Sequence, residues 1–268
     1  MHGNTNCEWQ ITMTDKIKIN ANIHEDIPAA FSLLSRLPVP VDHTVAGERA
    51  AIATWAYPLV GAVLGLIAGS IGSLLSWFGA PPSMAAIVAL AILALLTGGM
   101  HEDGLADCAD GIGGAFDVKK RLEIMKDSRI GAYGAVALVL FLLARFSSME
   151  SLTSTSFISA LIAVGAASRL PVALAMYAMP NARNNGLSAS VGKPPETSLA
   201  IAIAITLAIC FIFIGWSGIF VFGWAMIAAF VMSLIAMRTL EGQTGDVLGA
   251  IQQWAELGAL GAAVAALS

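Results

Sequence analysis

Residues 85–114 read AAIVALAILALLTGGMHEDGLADCADGIGG. The first half is an apolar run without a charge. The second brings Glu102, Asp103, Asp107 and Asp110 into nine residues, and no Lys or Arg follows until Lys119. The run has the composition of a lipid-solvated helix, which needs about 20 mainly apolar residues to cross a bilayer. If the chain stays helical past Gly99, then Asp103, Asp107 and Asp110 stand at i, i+4 and i+7, on one face. At roughly 6 Å and an effective dielectric near 20, each unscreened pair repels by about 3 kcal/mol. An aspartate at the bilayer centre costs roughly 2.5–3.5 kcal/mol more. A hard divalent cation compensates for such a cluster, because several carboxylates at short range are what it requires. Mg²⁺ binds few protein carboxylates and keeps places for phosphate oxygens, so Asp103, Asp107 and Asp110 suit a metal–diphosphate site.

A solvated acidic loop is the plain alternative, and neighbouring residues weigh against it. Gly104, Gly111, Gly113 and Gly114 interleave the acids and allow a ligand to approach the backbone. The next segment, RLEIMKDSRIGAYG (121–134), adds Lys126 and Arg129 beside Asp127.

Working outward, 57% of the 268 residues are hydrophobic and only 12% charged, with mean hydropathy +0.77. Soluble domains carry about 25% charged residues. Apolar runs at 54–78, 84–99, 130–146, 156–178, 199–215, 219–237 and 247–267 predict an all-α, polytopic integral membrane bundle of about seven spans. The last run contains Gln252, Gln253 and Glu256 and is the weakest of them. IPAAFSLLSRL (27–37), closed by Pro38 and Pro40, is short and amphipathic and reads as an interfacial helix. Residues 1–24 are polar, without the apolar core of a signal peptide, and read as a flexible extension; 25–268 read as one membrane-embedded catalytic domain. A net charge of −4 with no basic tract argues against a nucleic-acid partner.

With the N-terminus in the cytoplasm, the loops around 100–129, 179–198 and 238–246 fall inside. They carry Lys119, Lys120, Arg121, Lys126, Arg129, Arg183, Lys193 and Arg238, while the opposite loops at 79–83, 147–155 and 216–217 carry neither Lys nor Arg. That asymmetry is the positive-inside pattern of a cytoplasmic membrane protein with its acidic face toward the cytoplasm. Arg145 is the exception. Gly61, Gly65 and Gly69, four apart, read as a close-packing helix face.

Arg169, in GAASRLPVAL, is a cation inside a span; it is either a functional group or the partner of an aspartate. NARNNGLSASVGKP (181–194) places Arg183 and Lys193 in a glycine-punctuated loop suited to anions. EGQTGDVLGA (241–250) puts Asp246 at the mouth of the last helix, as a helix cap or as a contact to metal or substrate. Cys7, Cys108 and Cys210 have no metal-ligand spacing, and the four histidines form no ligand set. Neither a G-x-S-x-G nor a P-loop occurs.

The strings FSLLSRLPVP, GGMHEDGLADCADGIGG, RLEIMKDSRIGAYG, ASRLP, ARNNGLSA and GQTGDVLGA, in this order over about residues 31–256, resemble the cobalamin synthase (adenosylcobinamide-GDP ribazoletransferase) family. The resemblance implies an Mg²⁺-dependent enzyme of the cytoplasmic (inner) membrane. It would join adenosylcobinamide-GDP to α-ribazole or α-ribazole 5′-phosphate and release GMP. The ribazole 3′-hydroxyl would attack the phosphorus next to the aminopropanol arm. Carried over by motif, Asp103, Asp107 and Asp110 would hold metal, with Asp110 or Asp127 as base. Arg129 and Arg169 would join them at the reacting phosphates, and Lys126, Arg183, Lys193 and Asp246 would bind substrate. A homo-oligomer and association with other cobalamin-assembly enzymes are compatible with this reading. Two positions depart from the family pattern: Glu241 stands where many relatives have glycine, and Gln253 where some have glutamate.

Two other readings are weaker. DCADG matches the opening of the CDP-alcohol phosphotransferase pattern, but IGGAFDVKK lacks the Ala-Arg pair that should follow. A cation transporter would place its acids inside several spans, whereas here they gather at one edge.

Overall fold

The computed structural model describes residues 22–183 and 186–267. The predicted extension lies, apart from residues 22–24, outside the described residues, as does Cys7. Twelve α-helices and one short 3₁₀ turn are formed among the described residues, with no strand.

The first helix, α1 (Ile23–Leu34), begins four residues earlier than the interfacial helix expected from sequence and ends before Ser35. It is fastened to the bundle as well as amphipathic. Asp26 is fully buried and accepts from Arg49 Nε at 2.7 Å and Trp55 Nε1 at 3.0 Å. Arg49 closes α2 (His43–Arg49), and Trp55 lies in the 3₁₀ turn Ile52–Ala56.

α3 (Tyr57–Trp77) starts with Pro58 in its first turn, where the missing N–H costs nothing. It packs on α8 (Phe157–Ala178), the most enclosed apolar helix of the bundle, along Gly61 and Gly65. A Cβ on Gly65 would stand 2.6 Å from the Leu161 carbonyl carbon, so glycine is what lets the two backbones meet. The spacing read from sequence as a packing face is one.

α4 (Pro82–Thr97) and α5 (Met100–Gly114) are separated by Gly98 and Gly99, both left-handed at φ 68° and 69°. The axis turns by 88° there. The acid-bearing segment is therefore helical, as the i, i+4, i+7 reading required, but lies crosswise to the apolar helix before it.

After α6 (Val118–Ile124) come α7 (Ala132–Glu150), α8, the short α9 (Leu187–Val191), α10 (Glu196–Ile214), α11 (Ser217–Leu240) and α12 (Gly245–Leu267). Among the described residues, five helical stretches are long and apolar enough to cross a membrane: the 3₁₀ turn continued by α3, then α7, α8, α10 and α11. The broken α4–α5 pair makes a sixth. Leu140, Leu143, Ile212, Phe220 and Phe230 are exposed on this layer, as expected of side chains that face lipid. The seventh expected span, α12, is too polar to count by composition. Its Gln252, Gln253 and Glu256 are nevertheless buried, because the helix runs through the interior of the bundle.

Candidate functional site

Three segments expected on one face of the membrane converge: α5, the loop after α8, and the turn before α12. The backbone N–H of Gln243 donates to Pro180 O at 2.8 Å, and its backbone carbonyl accepts from Ala182 N at 2.9 Å. Arg183 donates to Leu122 O at 2.9 Å and lies 3.6 Å from Asp246 Oδ2. Gly104 gives α5 its close approach to α12, since a Cβ there would stand 2.6 Å from Asp246 O.

This convergence borders a half-open cavity of ≈ 300 Å³. Asp103, Arg183, Gln243, Thr244 and Asp246 form its polar end; Leu33 and Leu34 of α1, Tyr57, and Val172 and Met176 of α8 form an apolar wall. Asp107, one turn along α5 from Asp103, feels the negative charges of Asp103, Asp246 and Asp110 and the opposing charge of Arg183. Burial pushes the Asp246 carboxyl above the usual carboxylate range, and Arg183 pulls it back in part. Arg183 Nε and Gln243 Oε1 are buried without a partner. Buried polar atoms are rarely left so.

The other residues singled out from sequence stand elsewhere. Asp110 does not line the cavity. Its Oδ2 accepts from Gly131 N at 2.7 Å and its Oδ1 from Gly134 N at 2.8 Å, so both oxygens serve the orphan amides at the start of α7. The structure thus places Asp110, expected from sequence as a base or metal ligand, at the junction of α5 and α7. Gly131 and Gly134 make it feasible: a Cβ on either would collide with that carboxylate. Asp127 and Arg129 pair with each other at 2.7 Å in the exposed loop before α7, and Arg129 holds the Asp127 carboxyl down to about 2. Lys126 is exposed in the same loop. None of the three lines the cavity. Lys193 stands over the Tyr177 ring at 4.2 Å, on a second, open cavity that shares Met176 and Gln243 with the first.

Arg169 also stands away from the cavity lining. It is buried in the bundle and reaches Glu256 Oε2 at 3.3 Å and Ser168 Oγ at 2.8 Å. Its partner is thus a glutamate of α12 and not one of the aspartates. Arg145 donates to Glu256 Oε1 at 2.6 Å, Glu102 Oε1 at 2.9 Å and Gln253 Oε1 at 3.0 Å. Gln252 completes the network by donating to Glu256 Oε2 at 2.6 Å. Two guanidiniums face two carboxylates in the interior, and the network ties the first turn of α5 to α7, α8 and α12. A third carboxylate would leave it one negative charge in excess, so Gln253 suits this network better than a glutamate would. Sequence reasoning missed these partners, although an acid inside an apolar run is itself a flag.

The profile of the cobalamin-5-phosphate synthase family matches residues 26–264. The chain belongs to that family. Adenosylcobinamide-GDP ribazoletransferase of Bradyrhizobium diazoefficiens is 40% identical over 239 residues, covering 88% of this chain and 92% of the relative. The enzymes of the same name from Sinorhizobium medicae and Mesorhizobium japonicum are 40% and 39% identical, covering 91% and 92% of this chain and 97% and 95% of their own. No solved structure matches the chain. Family membership covers the cavity and the buried network alike. In the turn before α12, Glu241 is left-handed at φ 61°, the one non-glycine residue with positive φ among those described.

Proposed function

We propose that this chain joins adenosylcobinamide-GDP to α-ribazole, or to its 5′-phosphate, with release of GMP, in an Mg²⁺-dependent reaction at the polar end of the ≈ 300 Å³ cavity. The observation that carries the reading is the meeting of Asp103, Arg183 and Asp246 in one concave site, assembled from three separate family motifs.

The donor set is compatible with Mg²⁺ bound together with substrate. Among the described residues no three His, Cys, Asp or Glu side chains stand ready as a cage. Mg²⁺ does not require one, because it is commonly held by one or two carboxylates with substrate phosphates and water completing the shell. Asp103 and Asp107 would hold it, with Asp246 opposite. Bound there, the ion would supply charge neutralisation to the diphosphate and to the departing GMP.

The protein groups account for the rest. Arg183 has a buried donor to spare and would hold a phosphate oxygen through it. Asp246, with its carboxyl raised by burial, is suited to take the proton of the attacking hydroxyl. Asp110 would act through structure, setting α7 against α5. Phosphoryl transfer asks mainly for positioning and neutralisation, and these residues offer both. The loop charges favour a cytoplasmic membrane location with this site on the cytoplasmic side.

The test uses the full chain purified in detergent with adenosylcobinamide-GDP, α-ribazole and Mg²⁺. GMP release is expected from the wild type and should fall by at least about a hundredfold in Asp103→Asn and Asp246→Asn, with helix content unchanged. Wild-type rates in both variants would remove the proposed site. GMP formation absent from the wild type, with turnover of CDP-diacylglycerol and an alcohol acceptor instead, would remove the proposed reaction.

A further inference from the structure

Two substrates must meet here, and the site is small. A volume of ≈ 300 Å³ lies at the lower end of the range for small-molecule pockets, roughly 300–1,000 Å³. It has room for a nucleoside and none for a corrinoid macrocycle. We infer that this cavity is the seat of the acceptor nucleoside. Its bicyclic, largely apolar base would lie against Leu33, Tyr57, Val172 and Met176, with its ribose at Gln243. The corrinoid would remain outside, with only its diphosphate entering at Asp103 and Arg183. The inference rests on the reaction proposed above.

The chemistry of the wall favours this occupant. Val172 and Met176 project from the enclosed helix α8, and Leu33 comes from α1, which Asp26 fastens in place. Aliphatic side chains and the polarizable Met176 thioether suit the face and edge of an aromatic ring. Leu33, Val172 and Met176 offer no partner to a ring amine or carbonyl, so along them a base with hydrogen-bonding edges would lose its water without replacement; the Tyr57 hydroxyl is the one polar group of this wall. The other end has the opposite character. Gln243 lines the cavity and is 3% exposed; it is held through its backbone on both sides and through its side-chain Nε2, which donates to Asn181 Oδ1, while its Oε1 is buried without a protein partner. A ribose hydroxyl can donate to it. The same turn carries Asp246 three residues on, so a hydroxyl seated at Gln243 is close to the group proposed to take its proton.

Steady-state kinetics with each substrate varied in turn tests the seat. Met176→Trp fills the wall and Met176→Ala enlarges it. Met176→Trp should raise KM for α-ribazole by about tenfold or more and leave KM for adenosylcobinamide-GDP within about twofold, a discrimination pockets of this kind achieve. Met176→Ala, the variant less prone to misfold, should narrow the preference for benzimidazole over purine ribosides. Gln243→Met should also raise KM for α-ribazole. If the corrinoid KM moves instead, or if none of the three variants shifts the acceptor KM, the seat is wrong while the reaction stands. If wild-type protein releases no GMP, the reaction itself has failed.

Discussion

Glu241 and Gly134 show how single residues hold this site together. Left-handed backbone costs an L-residue roughly 1–2 kcal/mol, and glycine returns part of that gain through its unfolded-state entropy. Glu241 is exposed at the C-terminal cap of α11, so little packing opposes a change there. Glu241→Gly should therefore raise stability by about 0.5–1 kcal/mol in thermal unfolding in detergent. The opposite is expected at Gly134, where the Asp110 carboxylate occupies the space a Cβ would need. Gly134→Ala should cost about 1–3 kcal/mol, as overpacked sites do. GMP release should fall with it, because α7 loses its register against α5. Unchanged stability in the second variant would show that Asp110 does not dock there. The residue types at both positions were visible in sequence, but their reasons were not. A glycine string reads as freedom to approach a ligand, whereas Gly131 and Gly134 are kept bare for a carboxylate 21 and 24 residues earlier in the chain.

At the scale of elements, hydropathy made most of the helices legible, because a lipid-facing helix must be apolar along its length. It could not show the 88° turn at Gly98–Gly99, since two glycines mark a break without fixing its angle. Nor could it find the partner of Arg169. Glu256 lies 87 residues away on the helix that composition rates least membrane-like. The polar side chains that weaken α12 as a span are the ones that neutralise Arg145 and Arg169. Removing one member of a buried ion-pair cluster strands the others, at about 3–5 kcal/mol. Arg145→Met should lower stability by that order, measured by chemical unfolding in detergent. Adding Glu256→Gln should recover part of the loss, and a double variant no more stable than the single would count against coupling between the two.

For the whole molecule, the aspartates announced a site, but only the fold places Asp103 and Asp246 on the cavity and Asp110 and Asp127 away from it. Spacing along a helix cannot tell a carboxylate that faces a cavity from one that caps a neighbouring helix. The proposed metal dependence belongs at this scale too, because the two acids that line the cavity, Asp103 and Asp246, are 143 residues apart in the chain. A chelator should abolish GMP release and Mg²⁺ should restore it, while circular dichroism and the melting temperature of the apo protein stay close to their starting values. Large unfolding on chelation would mean that the ion holds the bundle together. The position of α12 has a further consequence for biogenesis. It follows α7 and α8 in the chain, so Glu256 leaves the ribosome after Arg145 and Arg169, the two cations it pairs with. Until α12 is made, Arg145 has Glu102 alone and Arg169 lacks the carboxylate it pairs with, and a chain cut short before α12 would stay in that state, marking itself for the proteases that patrol membranes.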